Sequence, residues 1–317
     1  MSTNNEFIGS HDIPLRPLGR TGEMVSAIGL GGYHLGLLSS EREAVRITRE
    51  AIDAGVTFMD NAWEYHDGKS EKRMGRALEG GWRERVFLMT KVCTHGRDAR
   101  TAMRQLDESL RRLKTDYLDL WQIHECVYYN DAERHFMNGG VTDALLRAKE
   151  EGKVRFVGFT GHKDPAIHME MLSHEFPFDT CQLPLNCFDA TFRSFERRVL
   201  RQLIRRGIAP IGMKSMGGEG DAVKKRIVSP KEALRYAMSL PVATTVSGID
   251  SMKVLKQNLK TASRFKPMTE AQMDRLRSRV SAQAADGRFE TYKTTAKHEG
   301  RVGREQHGFP SEEELAA

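Results

Sequence analysis

Short apolar runs alternate with longer amphipathic segments along most of this chain, and this alternation constrains its fold more than any other feature. Eight runs rich in β-branched or apolar residues are each followed by a segment whose apolar residues recur at helical spacing. We predict strands over residues 25–30, 57–60, 86–90, 117–123, 154–159, 180–183, 208–213 and 243–247. We predict helices over residues 42–54, 71–78, 99–113, 141–150, 165–173, 195–206, 230–239, 252–259 and 269–280.

Eight strand–helix units predict an α/β protein of the (β/α)8 TIM-barrel type. An open doubly wound sheet is the alternative, but that fold usually carries a GxGxxG turn after its first strand, and residues 29–34 lack this spacing. Residues 12–24, with a turn at 19–22, predict an N-terminal β-hairpin that caps the barrel bottom. We therefore predict one domain over 1–317, with the barrel at about 25–280 and an irregular C-terminal extension over 285–317.

The distribution of charges and cysteines argues against a nucleic-acid-binding protein and against a metalloprotein. The formal net charge is +6, but Lys and Arg are interspersed with acidic residues and no nucleic-acid-binding motif is present. We therefore expect no nucleic-acid partner. The four cysteines form no CxxC pair, so we expect no metal site and a reducing compartment. The polar start lacks the pattern of a signal peptide, and no apolar run has the length of a membrane span, so we expect a cytoplasmic protein without a membrane partner.

Four titratable side chains fall at or just after the ends of three consecutive predicted strands: Asp60, Tyr65, Lys91 and His124. In a barrel these ends meet at one mouth. Hydride delivery to a carbonyl carbon leaves charge on its oxygen, so an acid must donate a proton, and a free phenol with a pKa of about 10 is a poor donor at neutral pH. We expect the Lys91 ammonium to lower the pKa of Tyr65, Asp60 to hold Lys91, and His124 to orient the substrate oxygen.

Each of these residues also has a purely structural interpretation. Asp60 could cap the following turn, Tyr65 could be a surface aromatic, Lys91 could extend its amine to solvent, and His124 could be a satisfied core histidine. The four together favour catalysis of carbonyl reduction.

Three stretches of the sequence resemble the aldo-keto reductase family: residues 58–65 (Phe-Met-Asp-Asn-Ala-Trp-Glu-Tyr), 88–91 (Leu-Met-Thr-Lys) and 119–124 (Asp-Leu-Trp-Gln-Ile-His). The resemblance runs from about Leu15 to Val280. It implies that Asp60, Tyr65, Lys91 and His124 form the family's catalytic tetrad, with Tyr65 as the proton donor. It further implies an NAD(P)-dependent oxidoreductase of the alcohol dehydrogenase type that acts on aldehyde, ketone or sugar carbonyls or the corresponding alcohols.

The resemblance also implies a nicotinamide cofactor, NADP(H), with NAD(H) as the alternative. Where the family has a Ser-Asn pair, this chain has Thr160-Gly161, so His162 or backbone amides could replace the missing amide. Met213 stands where an aromatic ring often stacks on nicotinamide, and the neighbouring Lys214 suits a loop that faces phosphate. The residues expected at the cofactor are Gly32, Tyr33, Asp60, Thr160, Gly161, Gln182, Met213, Lys214, Ser215, Gly248, Ser251, Gln257 and Asn258.

The family's phosphate-binding Lys and Arg are replaced here by Gly248 and Val254, and Lys253 or Lys256 could supply the charge instead. The loops after strands seven and eight, together with a helix N-terminus, are the usual phosphate site of a barrel. The choice between NADP(H) and NAD(H) depends on this region.

We expect a small-molecule carbonyl or alcohol substrate, bound by Tyr33, Trp63, His95, His124 and Glu125 together with the C-terminal tail. Glu125 indicates a polar substrate. Cys93 and Cys126, two residues beyond Lys91 and His124, are either redox-sensitive thiols at the mouth or inert buried cysteines. Two other functions stay open: a non-catalytic subunit that senses nicotinamide nucleotides, as in barrel subunits attached to membrane channels, and an enzyme that uses bound cofactor for transient oxidation.

Overall fold

The computed structural model describes residues 13–93, 97–296, 298–306 and 309–310. Its first two strands, β1 (Leu15–Pro17) and β2 (Met24–Ser26), pair antiparallel as the predicted hairpin. Eight parallel strands then close into a barrel in the order β10-β3-β4-β5-β6-β7-β8-β9. Their bounds are β3 Ile28–Gly31, β4 Phe58–Asp60, β5 Phe87–Val92, β6 Leu118–Ile123, β7 Val154–Thr160, β8 Thr180–Pro184, β9 Ala209–Met213 and β10 Thr244–Gly248.

Helices follow the barrel strands and surround them. The long ones are α2 (Glu41–Asp53), α3 (Lys69–Leu78), α4 (Ala99–Leu113), α6 (Val141–Glu150), α7 (Pro165–Ser173), α10 (Pro230–Ser239), α11 (Met252–Ser263) and α12 (Glu270–Ala284). The short ones are α1 (Gly32–Leu37), α5 (Asp131–Phe136), α8 (Arg201–Arg206), α9 (Asp221–Lys224), α13 (Thr291–Thr294) and α14 (Arg301–Gln306). A 3-10 turn spans Arg83–Arg85, and a π-helical segment, Glu196–Leu200, leads into α8. The TIM-barrel prediction is confirmed.

The first predicted strand, 25–30, divides into two. Val25 and Ser26 belong to the hairpin, and the barrel strand is Ile28–Gly31. The chain changes partners at Ala27, whose amide donates to the Pro14 carbonyl at 2.8 Å. A continuous apolar run does not reveal such a change, because hairpin and barrel strands have the same composition.

The barrel interior is filled at its N-terminal end. Leu18 and Val25 of the hairpin pack in a buried cluster with Phe58, Phe87, Met89, Leu120, Ala209, Ile211, Ala243 and Val246. The Phe58 and Phe87 rings stack with centroids 5.5 Å apart. Arg16 holds the hairpin in place by donating to the carbonyls of Met238 and Val242. Because side chains fill this end, functional residues are expected at the opposite mouth, where the strands have their C-terminal ends.

The C-terminal extension is mostly irregular, as predicted, but it is anchored by a buried polar cluster. The Lys293 ammonium lies 2.7 Å from Asp189 Oδ1 and 2.9 Å from Glu290 Oε1. The Tyr292 hydroxyl donates to Glu290 at 2.6 Å, and Asn186 donates to that hydroxyl at 3.0 Å. Asp189 and Asn186 lie shortly after β8, so the cluster fastens the extension to the C-terminal end of the barrel.

None of the helices in the described ranges combines the length and the apolar character that crossing a membrane requires.

Candidate active site

Three neighbouring strands bring the predicted tetrad to the C-terminal mouth of the barrel. Asp60 is the last residue of β4, Lys91 lies near the end of β5, and His124 directly follows β6. Tyr65 lies in the loop between β4 and α3. Parallel strands in a closed barrel end on the same side, so the spacing in the sequence becomes proximity in space.

The centre of the tetrad is a buried ion pair. The Lys91 ammonium lies 2.6 Å from Asp60 Oδ1 and donates to the Asn61 carbonyl at 2.7 Å. The second oxygen of Asp60 accepts from Gln182 Nε2 at 2.6 Å. Lys91 is 1% exposed and Asp60 is 2% exposed, so this charge pair is separated from solvent. Both oxygens of the carboxylate are therefore engaged, and Lys91 is held by two acceptors.

Tyr65 lies above this pair. The Lys91 ammonium is 5.2 Å from the centroid of the Tyr65 ring, and the ring meets those of Tyr33 and His124 edge-on at 5.3 and 5.4 Å. Burial first, and then the charges of Asp60 and other nearby carboxyl groups, raise the pKa of Tyr65 well above its ordinary value. The net shift is therefore opposite in direction to the expected lowering, because burial and these carboxylates outweigh the charge of Lys91, which is itself paired with Asp60. Tyr65 is a protonated phenol at neutral pH.

His124 makes a contact that the sequence reasoning missed. Its Nδ1 lies 2.5 Å from Oε1 of Glu64, and both side chains are largely buried. Burial lowers the pKa of His124 to about 3, so the imidazole is neutral at physiological pH. An acidic residue immediately before Tyr65 is the sequence signal that could have identified Glu64.

The loop that carries Glu64 and Tyr65 is fixed from both sides. The Trp63 amide donates to the Lys91 carbonyl at 3.1 Å, and the Trp63 carbonyl accepts from Arg112 at 2.9 Å. The Trp63 indole donates to Glu108 of α4 at 2.8 Å and lies under the Arg112 guanidinium. Trp63, predicted as a substrate wall, is thus directed toward α4, whereas Glu64 contacts the tetrad.

Glu125, also predicted to line the substrate site, is buried at the mouth. Its Oε2 accepts from the Gly300 amide of the C-terminal extension at 2.7 Å, and its Oε1 lies 3.8 Å from Nε2 of His162. Burial, followed by the nearby Glu64 charge, raises the pKa of Glu125 to about 8. A Cβ on Gly300 would lie 2.7 Å from an oxygen of both Glu64 and Glu125, so the extension approaches the mouth at its closest through a glycine. Glu125 has φ = +53°, a strained left-handed conformation of the kind that clusters at functional sites.

The residues predicted to hold the carboxamide end of a cofactor lie together beside the tetrad. Thr160 pairs with Gln182 across β7 and β8, and both are buried. Within the described ranges, Gln182 Oε1 is buried and lacks a hydrogen-bond partner, although its amide nitrogen is engaged by Asp60. A buried acceptor of this kind needs a donor, and the amide of a nicotinamide carboxamide is a suitable one.

Gly161 has no space for the side chain that the family carries there. A Cβ at this position would lie 2.2 Å from the Cys126 carbonyl oxygen and 2.9 Å from the His168 ring. The missing amide therefore reflects a different local packing and not an empty pocket. His162, next in the chain, is buried and close to Glu125, and burial lowers its pKa well below the ordinary value.

The segment after β9 contributes a cation. Met213 ends the strand, Ser215 is buried, and Lys214 adopts a left-handed conformation with φ = +53°. The Lys214 ammonium lies 5.1 Å from the centroid of the Tyr292 ring. Desolvation lowers the pKa of Lys214 to about 8, with the charge of Glu125 acting in the opposite direction. Lys214 thus interacts with Glu125 at the mouth and with Tyr292 of the C-terminal extension.

The phosphate end predicted after β10 is assembled in part. Ser251 caps the N-terminus of α11, accepting from the Val254 amide at 3.3 Å. Asn258 is buried, and it donates to Ser247 at 3.0 Å, while its Oδ1 has no partner among the described residues. A Cβ on Gly248 would lie 2.3 Å from the His34 ring, so a side chain at this position would require that ring to move. Three nearby polar side chains are exposed: Lys253, Lys256 and Gln257.

The remaining predicted residues lie at the rim or outside the described ranges. Gly32 begins α1, and a Cβ there would lie 2.6 Å from the Asp60 carbonyl oxygen. Tyr33 is half exposed. His95 lies outside the described residues. Cys93 and Cys126 are buried, and burial raises the pKa of both thiols well above the ordinary value, so the interpretation as inert thiols is favoured.

Comparison with known proteins gives consistent results. The Aldo/keto reductase family model matches residues 27–231. L-galactose dehydrogenase of Arabidopsis thaliana is 34% identical over 158 residues, which cover 47% of this chain and 49% of that protein. 6-Dehydroglucose reductase of Novosphingobium aromaticivorans is 31% identical over 252 residues, which cover 72% of this chain and 76% of that protein. The chain thus spans about half the length of the first relative and about three quarters of the second.

A solved structure of similar fold is an aldo/keto reductase from Klebsiella pneumoniae in complex with NADP and acetate. The TM-score is 0.68 at 22% sequence identity, and the match covers 84% of this chain and 95% of that one. At this level of identity the likeness establishes the common fold.

Proposed function

This chain belongs to the aldo/keto reductase family, and from that premise we propose that it is an NAD(P)-dependent oxidoreductase that transfers a hydride between nicotinamide and a small carbonyl or alcohol substrate. Tyr65 acts as the general acid in reduction and as the base in oxidation. The observation that carries the proposal is the buried Lys91–Asp60 pair beneath the Tyr65 ring at the barrel mouth. A buried charge pair at the end of apolar strands is costly and is retained where it has a role.

The cofactor supplies the hydride at its nicotinamide ring. Gln182 and Thr160 would hold the carboxamide, because Gln182 Oε1 is a buried acceptor that needs a donor. The N-terminus of α11, capped by Ser251, and the neighbouring Asn258 would hold the adenosine and its phosphates. The NADP complex of the Klebsiella relative favours NADP(H), and the exposed Lys253 and Lys256 are the cations available for an extra phosphate.

Proton transfer falls to Tyr65. Tyr65 is a protonated phenol at neutral pH and carries the proton that the developing alkoxide receives during reduction. Lys91, fixed by Asp60, provides positive charge beside the ring and stabilises the phenolate that remains. His124 lies edge-on to the same ring and is placed to contact the substrate oxygen.

The polar lining of the mouth supports a hydroxyl-rich substrate. Glu64 and Glu125 both come close to the Gly300 backbone, and their oxygens are hydrogen-bond partners suited to hydroxyl groups. The names of the two relatives, L-galactose dehydrogenase and 6-dehydroglucose reductase, point to sugar chemistry in those proteins. We therefore place polyhydroxylated aldehydes and their alcohols first among the substrate candidates.

The test is a Tyr65→Phe variant assayed for oxidation of NADPH with a sugar aldehyde or 4-nitrobenzaldehyde. Removing the proton donor is expected to lower kcat by roughly 10²–10⁴-fold, while the affinity for NADP⁺ in a fluorescence titration stays unchanged. Tyr117→Phe is the matched control, since Tyr117 lies at the opposite end of the barrel beneath Arg83. Retained turnover in Tyr65→Phe would remove this residue from its role.

The nucleotide-sensing alternative predicts NADP⁺ binding without turnover in the wild type and a stable partner protein. The complete tetrad favours the enzyme. An enzyme that uses bound cofactor for transient oxidation predicts that the purified protein keeps its cofactor through dialysis.

A further inference from the structure

Glu71 is a buried acidic residue that the proposed mechanism does not use. It lies in the first turn of α3, and its side chain has no exposed surface. Its two oxygens have different partners: Oε1 accepts from the Thr90 hydroxyl at 2.6 Å, and Oε2 accepts from Arg112 Nη1 at 3.1 Å. A buried carboxylate is costly unless it is paired and hydrogen-bonded, so these two partners hold Glu71 in place.

The first partner belongs to the strand that carries Lys91. Thr90 precedes Lys91 in β5 and is fully buried. Because successive side chains of a strand point to opposite faces, Thr90 points toward the helices while Lys91 points into the barrel mouth. The hydrogen bond to Glu71 therefore fixes β5 from outside the barrel, one residue away from the tetrad lysine.

The second partner reaches the loop that carries Tyr65. The Nη1 atom of Arg112 that donates to Glu71 also donates to the Trp63 carbonyl at 2.9 Å. Gly68, three residues after Tyr65, has φ = +77°, and a Cβ there would lie 2.4 Å from Cζ of Arg112. The guanidinium thus packs against the loop both before and after Tyr65, and Glu71 holds that guanidinium.

We propose that Glu71 is a positioning residue that joins the strand of Lys91 to the loop of Tyr65 and so sets the spacing between the ammonium and the phenol ring. The Lys91 ammonium lies 5.2 Å from the centroid of that ring, and its own hydrogen bonds go to Asp60 and to the Asn61 carbonyl. The spacing therefore depends on the backbone segments that carry the two side chains. The role rests on the proposed function, because this spacing matters for catalysis only if Tyr65 transfers the proton.

The experiment removes the Thr90 hydroxyl while keeping the shape of the side chain. Thr90→Val should lower kcat for the oxidation of NADPH with 4-nitrobenzaldehyde by roughly 10–100-fold, because a misplacement of about 1 Å costs on the order of 10²-fold. The affinity for NADP⁺ should stay unchanged, and the conservative Thr90→Ser, which keeps the hydroxyl, should retain most of the wild-type kcat.

Thr57→Val is the matched control. It makes the same change at the opposite end of the barrel, where the Thr57 hydroxyl accepts from the Ser26 amide at 2.9 Å. Both valine variants should unfold at a lower urea concentration than the wild type, because each loses one hydrogen bond. The loss of kcat should be confined to Thr90→Val.

Glu71→Gln tests the second partner. It keeps the side-chain volume and an oxygen that can accept from Thr90, but it removes the charge that holds Arg112, so kcat should fall in this variant as well. Glu79→Gln is its matched control, because Glu79 follows the end of the same helix and pairs with Lys114 in a partly exposed position. This control should keep the wild-type kcat.

An NMR measurement reports on the position of Tyr65 independently of turnover. The 7 tyrosines of the full chain are labelled with carbon-13 at Cζ, and the Tyr65 signal is identified by its loss in Tyr65→Phe. This signal should shift in Thr90→Val and should stay at its wild-type position in Thr90→Ser and Thr57→Val.

An unshifted Tyr65 signal in Thr90→Val, or wild-type kcat in that variant of an active enzyme, would overturn the proposal. A shift confined to Thr90→Val, in a protein whose wild type turns over neither carbonyls nor alcohols, would support the positioning role and count against the proposed function.

Discussion

Glu125 shows how burial sets the protonation of a residue at this mouth. Its pKa is raised to about 8 because the carboxyl group is desolvated and lies near Glu64. In the unfolded chain the same group titrates near 4.5. Between these values the folded protein binds a proton that the unfolded chain has released, so this group makes the free energy of unfolding fall as pH rises.

Replacing Glu125 with Gln should remove that pH dependence. Each pKa unit corresponds to about 1.4 kcal/mol. Because the site can relax around a charged carboxylate, we expect the free energy of unfolding of the variant to exceed that of the wild type by an amount on the order of 2 kcal/mol at pH 8. The gain should shrink toward pH 5, where the wild-type carboxyl group is protonated in the folded state. Urea unfolding of both proteins from pH 5 to pH 8.5 measures it. A difference that stays constant across this range would contradict the raised pKa.

The sequence predicts the tetrad at this scale, because strand ends and strand order suffice to bring Asp60, Lys91 and His124 together. It does not predict the direction of individual side chains. The contact between Glu64 and His124, and the lack of space at Gly161, depend on rotamers and on the backbone of a neighbouring strand. The direction of the Tyr65 pKa shift was misjudged because the sequence shows neither how deeply the phenol is buried nor that Glu64 and Glu125 lie near it.

At the level of elements, the sequence locates best several helices of nine or more residues. The predicted bounds of the helices at 99–113, 141–150, 165–173 and 230–239 coincide with those observed. The short helices α1, α5 and α9 were not predicted, because four to six residues hold too little periodicity to be recognised. The predicted helix at 195–206 begins with a π-helical segment, which has no periodic signature of its own over five residues.

The N-terminus of α11 carries a prediction about the cofactor. Ser251→Ala removes the cap from the Val254 amide and should cost about 1 kcal/mol of stability, and it should also weaken NADP⁺ binding, because this terminus faces the proposed phosphate site. Thr269→Ala is the matched control. It removes the cap of α12, a different helix from the one proposed to bind phosphate. The neighbouring Met268 amide donates to Ser239 at the end of α10, so this helix start packs against α10.

Thermal unfolding and a fluorescence titration with NADP⁺ test both variants. Similar losses of stability, with weaker binding in Ser251→Ala alone, are expected. Equal binding in the two variants would place the phosphate elsewhere.

For the whole molecule, closure of the barrel follows from the count of eight units, but the docking of the C-terminal extension does not. The segment after residue 285 is polar and rich in glycine, a composition typical of irregular chain. Its anchor depends on one lysine that meets two acids from separate parts of the sequence. Glu290 is close to this lysine in the chain, but Asp189 lies 104 positions earlier, and a pairing over that distance leaves no local sequence pattern.

Lys293→Met tests the importance of that anchor. Asp189 and Glu290 would stay buried without their cation, and breaking one side of a buried ion pair costs about 3–5 kcal/mol. Lys114→Met, which breaks an exposed pair with Glu79, should change the stability far less, because exposed ion pairs are screened by solvent. Urea unfolding gives the two values, and limited proteolysis should cleave the Lys293 variant first in the extension. Equal costs for the two variants would show that the buried cluster does not hold the extension.

The contact between Gly300 and Glu125 joins residues 175 positions apart in the chain. During synthesis the ribosome therefore completes the predicted tetrad long before it makes the segment that contacts Glu125, and a product that stops early contains these four residues without that contact. A peptide fused behind the extension would follow the segment that makes this contact. The hairpin packs at the far end of the barrel, so a peptide fused ahead of it should be the safer choice for immobilising the protein.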